Sequence, residues 1–295
     1  RVYALPLDPS VQIFLYRADL FHDAKLCRAY YERFHENLVV PTTYEQYLHA
    51  AEFFTRSCNP DSPTEYGTTM TCGSASVAAS DFLPFYLSRI DRFGTTPETL
   101  RLDCPEMQAA MRQYHALEKF SCKQNWWGDS IQKFADGKTA MTVIYSNYAA
   151  ELINSGNSVV VGRVGAAILP GCKPLLGGGI VGISRYSQKA EACKQFFRWY
   201  YSADVASLLV RLGGTSPIVD AYEDFQNYSI FPWMNTSKKS FGLGQRGVKN
   251  QIPERFSIPK YEFAVGTAIR NVVQDLMTPE DASRMAQALY DAADP

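Results

Sequence analysis

Three consecutive glycines, Gly177, Gly178 and Gly179, sit between two β-type runs in the stretch 169–184, LPGCKPLLGGGIVGIS, and constrain this chain more than any other feature. Lacking Cβ atoms, such a triplet lets backbone adopt positive φ and pass close to another surface. A strand that bends there can cross from one structural unit to another, which makes a hinge. The same residues also fit an ordinary turn. Residues 2–16, VYALPLDPSVQIFLY, carry a second interruption of this kind. Pro6 and Pro9 lie too close together for a central strand, so this segment reads as another crossing, followed by an apolar strand over 11–16.

The composition narrows the class. With 46% apolar and 20% charged residues, 295 residues suit a globular chain of one or two domains. Net charge is −1 and the basic residues are scattered, so no stripe for direct nucleic-acid contact is visible. No apolar run is long enough to cross a membrane. The first residues lack the pattern of a signal peptide. The chain opens directly in a strand-like run and reads as a fragment, so the missing signal carries no information. The seven cysteines, at 27, 58, 72, 104, 122, 172 and 193, form no C-x-x-C pair and are odd in number. That argues for a reducing compartment or buried thiols rather than a disulfide framework. The four histidines show no zinc spacing, and no metal or cofactor is expected.

Helix and strand signals alternate along the chain. Residues 19–34 read as one helix. Thr43 with Gln46 forms a capping box ahead of Tyr44, Tyr47, Leu48, Ala51 and Phe54 at helical spacing. Residues 66–70 read as a short strand, 73–80 as a small, polar loop, and 82–90 as a helix. Met107, Met111, Tyr114 and Leu117 make one helical face after Pro105. A short helix over 130–135, a strand over 139–145 and another over 159–169 follow. Beyond the glycines, a helix capped by Ser187 puts Cys193, Phe196, Phe197 and Tyr200 on one face. Ser202 caps the next, which Gly213 and Gly214 stop. Residues 228–257 read as irregular. Tyr261, Ala264, Val265, Ala268, Ile269, Val272, Val273 and Leu276 form the clearest helical stripe, and Thr278 opens a last helix. This interleaving gives an α/β class.

Several segments match one pattern in order: Tyr3–Pro6 with the strand ending at Tyr16 and then residues 18–21; Pro41–Glu45; Phe134–Met141; Leu169-Pro170-Gly171; Gly178-Gly179 to Ser184; and Gly213–Pro217. In these the chain resembles the extracellular solute-binding proteins of bacterial ABC importers, the group that includes maltose-binding protein. The resemblance implies an α/β, periplasmic-binding-protein-like two-lobe fold with hinge crossings, its N-terminal lobe incomplete in this chain. On that mapping residues 6–10, 176–180 and 218–224 are crossings. Residues 11–175 and 225–295 form the C-terminal lobe, and 1–5 with 181–217 belong to the N-terminal lobe.

The resemblance also implies where a solute would touch the chain. The expected positions are Asp8 and Ser10 beside the first crossing; Ser74 and Ser76 in 73–80; Tyr145, Asn147 and Tyr148 after the strand over 139–145; and Gly178 and Gly179. Many relatives carry Gly-x-Trp where this chain has the Tyr145–Tyr148 segment, and often Trp where Ile180 stands, so two stacking platforms are missing. Trp233, and with less weight Trp126 and Trp127, are the remaining stacking candidates, although a tryptophan is first of all a packing residue. The implied function is non-catalytic binding of a small polar solute, a sugar above others, with an ABC permease as partner in an extracytoplasmic setting. The cysteine count fits the alternative, a cytoplasmic sensor domain of a transcriptional regulator. No G-x-S-x-G, Walker loop or dinucleotide fingerprint supports an enzyme.

Overall fold

The computed structural model describes residues 3–90, 101–153, 156–223, 231–244 and 257–292. Its organising strand is β2 (Ser10–Arg17), which follows the two-residue β1 (Leu5–Pro6). β2 pairs antiparallel with β5 (Met141–Tyr145) on one side and β6 (Val164–Ala167) on the other. At its start it also pairs with β7 (Leu176–Gly177), Ser10 opposite Gly177. Side chains alternate across a strand, and here both faces are covered. Val11, Ile13 and Leu15 enter one apolar core, while Phe14 enters the other.

Helices build the two cores. The stretch read as one helix over 19–34 is two, α1 (Ala18–Phe21) and α2 (Ala24–Phe34). The break falls at Asp23, whose carboxylate accepts the N–H groups of Lys25 and Leu26, so the second helix is capped afresh. α3 (Tyr44–Phe53) starts at the expected Thr43–Gln46 capping box. The parallel pair β3 (Thr68–Thr71) and β4 (Ser121–Gln124) lies beyond it. The segment read as a loop over 73–80 is mostly helical. α4 (Ala75–Leu87) begins there, with the Ser74 hydroxyl accepting the Val77 N–H. α5 (Pro105–Glu118) buries Met107, Met111, Tyr114 and Leu117 as their spacing predicts. α6 (Trp127–Ala135) starts three residues before the expected short helix.

β8 (Ile180–Val181) follows the glycines, and the helix expected to be capped by Ser187 is α7 (Ala190–Tyr200), which starts later with Lys189 at its N-cap, the Ser187 hydroxyl accepting only the Lys189 N–H. Its face of Cys193, Phe196, Phe197 and Tyr200 is not a core face, because no α7 residue is buried. α8 (Ala203–Arg211) buries Ala206 and Val210. The stretch expected to be irregular contains α9 (Met234–Leu243); within 228–257, residues 228–230 and 245–256 lie outside the described residues. The strand expected over 159–169 is only the four residues of β6. α10 (Ile258–Val273) buries its predicted stripe from Tyr261 to Val273, and α11 (Pro279–Asp291) is capped by Thr278.

Among the described residues, α4 and α10 form the most extensive helix contact. Gly266 allows it. A Cβ at that position would lie 1.7 Å from the Ala75 carbonyl oxygen, so only a glycine lets α10 come this close to the first turn of α4. On its core side α4 carries Asp81, a carboxylate only 8% exposed. One of its oxygens accepts both the Thr71 N–H (3.1 Å) and the Tyr114 hydroxyl (2.6 Å). Burial pushes this carboxyl up to about 7, outweighing the two bonds that favour the anion.

The folded state therefore holds a proton that the unfolded chain releases near pH 4. Stability is full below that pH and is lost as pH rises to about 7, by up to about 4 kcal/mol. Asp81→Asn keeps an acceptor oxygen for both donors and removes the titration. Urea unfolding of this variant is expected to show a flatter pH profile between about 4 and 7, and stability at least equal to wild type at pH 8. An unchanged slope in the variant would assign the pH dependence elsewhere.

Candidate functional site

A cavity of about 420 Å³ opens where β2, β5, β7, α4, α6 and α10 meet. Ser10 at the start of β2 forms part of its floor, with Gly177 and Gly178 beside it. The end of β5 brings Tyr145. The 3₁₀ turn that follows, Ser146–Ile153, brings Asn147 and Tyr148. From the first two turns of α4 come Ser76, Val77 and Ser80, and from the entry of α6 come Trp126 and Trp127. Glu262, near the start of α10, completes the lining.

The tyrosines and tryptophans divide the work. Trp127 is buried and meets Tyr145 edge to face, ring centroids 5.1 Å apart at 89°. Tyr145 is itself only 7% exposed, so this pair is wall. Trp126 is 50% exposed and presents an open indole surface. Its side chain is hydrogen-bonded to that of Tyr148, whose hydroxyl is pushed up chiefly by burial and further by the nearby charge of Asp8. Asn147 contributes a buried carbonyl oxygen, Oδ1, with no hydrogen-bond partner. An acceptor withdrawn from water without a donor costs about 1–3 kcal/mol, so this oxygen is left with an unmet demand for a donor.

Ser80 is held from behind. Its carbonyl accepts the Gln12 side-chain amide at 2.8 Å, and the same amide's oxygen accepts the Leu175 N–H at 2.9 Å. Gln12 is fully buried on β2. Residues 5–8 and 178–181 are tied in a comparable way. β1 and β8 pair antiparallel, Leu5 with Val181 and Pro6 with Ile180, and the Leu7 N–H donates to the Gly179 carbonyl at 2.8 Å. Gly178 has φ +105°, and a Cβ there would sit 2.3 Å from the Asp8 carbonyl. The hydroxyls of Tyr200 and Tyr201 donate to the Leu7 and Pro6 carbonyls, fixing the end of α7 to the segment after β1.

Of the expected site residues, the structure brings Ser10, Ser76, Tyr145, Asn147, Tyr148 and Gly178 to one cavity. Asp8 and Gly179 are outside the lining and bond each other instead, the Gly179 N–H donating to the Asp8 carboxylate. Ser74 caps α4 and bonds Ser76 at 3.3 Å. Trp233 is placed differently: at 2% exposure it packs beside Phe231 in the second core, where an indole fills volume, and it is not part of the cavity lining. Glu262 escaped the sequence reading because it flanks an apolar stripe. Its one signal was Gly266, a single turn further on, which marks the face of α10 turned toward the start of α4.

A sequence model of the family described as bacterial extracellular solute-binding protein matches residues 1–233. Among solved structures, the chain is similar to an ABC transporter solute-binding protein from Agrobacterium radiobacter K84 in complex with ribitol, at 22% identity and TM-score 0.78, over 97% of this chain and 70% of that one. It is similar to one from Agrobacterium vitis S4 with bound D-mannitol, at 19% and 0.76, over 98% and 72%. It is also similar to maltose-bound MalE3 of T. maritima, at 20% and 0.74, over 98% and 72%. The fold is thus that of the two-lobe periplasmic binding proteins.

The wall and the contact residues separate in mutation. Tyr145→Ala removes a buried ring and is expected to cost about 3–5 kcal/mol of stability, which a denaturant melt reads. Asn147→Ala removes the partnerless acceptor and is expected to leave the melt at or above wild type while weakening ligand binding several-fold, the worth of one neutral hydrogen bond. Equal affinity in calorimetry would remove Asn147 from the contact set.

Proposed function

Because this chain belongs to the family of bacterial extracellular solute-binding proteins, we propose that its cavity holds a small polyhydroxylated solute, a sugar or polyol, and does not transform it. The observation that carries the reading is the pairing of the open Trp126 face with the partnerless Asn147 oxygen across one cavity. An apolar ring face stacks on the C–H face of a sugar, and fixed polar groups take its hydroxyls. The cavity volume, about 420 Å³, lies in the usual range for small-ligand sites. Ser10, Ser76, Ser80 and Tyr148 add hydroxyls that both donate and accept. As the receptor component of an ABC importer, the loaded protein hands its solute to a permease.

Binding closes two lobes about the crossings at 6–10 and 176–180. The antiparallel ribbon of β1 and β8, with the Asp8–Gly179 bond at its bend, supports this hinge. Residues 181–217 supply part of the second lobe, and the exposed side chains of Phe196, Trp199, Leu208 and Leu212 lie within them. Hinge closure of this kind concentrates its backbone change in a few residues.

A thermal-shift panel of pentitols, hexitols, monosaccharides and maltose tests the ligand class. A rise in Tm that grows with ligand concentration is expected for at least one; no shift with any of them, confirmed by calorimetry, would overturn the reading. The hinge is tested separately. In Gly179→Val the new Cβ would fall 2.5 Å from an Asp8 carboxylate oxygen. Lower affinity and a smaller ligand-induced compaction in small-angle scattering are expected, whereas wild-type values for both would argue against a hinge at this residue.

A further inference from the structure

A second cavity, of about 260 Å³, shares no lining residue with the first. It lies where the link from β1 to β2 meets the 3₁₀ turn Val219–Tyr222 and α9. Pro6, Pro9, Pro217, Val219 and Phe241 make its wall mostly apolar. An apolar cavity of about 150 Å³ is enough for benzene, so this one has room for a ring with a substituent. Its polar side chains are all donors. Ser216 and Tyr222 are both buried. The Tyr222 hydroxyl oxygen accepts the Ser216 N–H at 2.8 Å, and the Ser216 hydroxyl oxygen accepts the Ile218 N–H at 3.1 Å. Each hydroxyl keeps its own proton to give, and among the described residues neither proton meets an acceptor. Burial raises the Tyr222 hydroxyl, so it stays protonated. Lys238 is the one charged residue of the described lining, and it pairs at 2.6 Å with Glu223 in a solvent-exposed bridge.

We propose that this cavity is a second ligand site, for a small carboxylate with an apolar ring, of which benzoate is the simplest. The ring lies against the prolines and Phe241, and the carboxylate takes the Ser216 and Tyr222 hydroxyls and the Lys238 ammonium. Two hydroxyl protons and an ammonium call for a group that accepts several donors at once, which a carboxylate does. An exposed ion pair holds weakly, so Lys238 can turn from Glu223 to a second carboxylate. A sugar would set its hydroxyls against five apolar residues, so the chemistry here differs from that of the first cavity.

The test titrates the whole chain with benzoate, benzyl alcohol and acetate by calorimetry at neutral pH. Benzoate is expected to saturate, and to bind at least about tenfold more tightly than the alcohol, which lacks the charge, or acetate, which lacks the ring; a charge-assisted hydrogen bond is worth that much. Lys238→Met is expected to bring benzoate down toward benzyl alcohol, and Glu223→Gln, which frees the ammonium, to tighten it. Both residues are exposed, and a merely structural effect would move the two variants together. Ser216→Ala is expected to weaken benzoate several-fold, and Trp126→Ala to leave it unchanged. No saturable benzoate binding, equal affinity for benzoate and benzyl alcohol, or the same affinity in Lys238→Met and Glu223→Gln as in wild type would overturn the proposal. So would loss of benzoate in Trp126→Ala, which would put the probe in the first cavity. None of these outcomes bears on the sugar or polyol reading, which the thermal-shift panel decides.

Discussion

The buried amide of Gln12 is the interaction on which the rest of the site depends. It sits in β2, a strand with apolar core on both faces, where a polar side chain is a liability unless every donor and acceptor is met. Here the Nε2 group donates to the Ser80 carbonyl and the Oε1 oxygen accepts from Leu175. The backbone of Gln12 also donates to the Leu175 carbonyl. One residue thereby fixes α4 relative to the sheet and fixes the segment that leads into Gly177 and Gly178. Three walls of the cavity take their positions from it. Replacing Gln12 by an apolar residue would leave a carbonyl and an N–H in the interior without partners, and the walls would lose their common reference.

Much of the scaffold was legible in the sequence because its signals are local. The Thr43–Gln46 capping box, the methionine face of α5, the stripe of α10 and the Thr278 cap each depend on residues within a turn or two of one another. The interruptions at Pro6, Pro9 and the three glycines were legible for the same reason, since these residues restrict or free the backbone wherever they stand. The misses share the opposite cause. The stretch 73–80 is rich in Gly, Ser and Ala, which reads as loop by composition. Its alanines are small because α10 packs against them at the distance Gly266 permits, and that contact spans most of the chain. Trp233 was placed at the ligand by residue type, and Phe231 and the second core claim it by position.

Asp8 shows how a rigid crossing redirects a polar group. Between two prolines it was an evident candidate for contact with a solute. The fold gives it a nearer donor, the N–H of Gly179, exposed by the same absence of side chain that lets the second crossing bend. A backbone N–H at a bend has no ladder partner of its own, and a carboxylate is a strong acceptor for it. The residue's charge still reaches Tyr148 and Tyr200, so the Asp8–Gly179 contact and the rim of the cavity share one electrostatic environment.

α4 carries the deepest compromise. Its outer side gives Ser76, Val77 and Ser80 to the cavity, while Asp81, the next residue along, turns inward to take the Thr71 N–H and the Tyr114 hydroxyl on one oxygen. Burial works against that carboxylate, and an apolar residue of similar size would spare the desolvation. It would also leave two buried donors unpaired, one at the end of β3 and one in the middle of α5. The acid is therefore the lesser cost, and it ties the cavity-lining side of α4 to the two elements behind it. A helix so fixed from the core can present hydroxyls to a ligand without moving to meet it. That preorganisation is what a small solute with few atoms to spend on affinity requires.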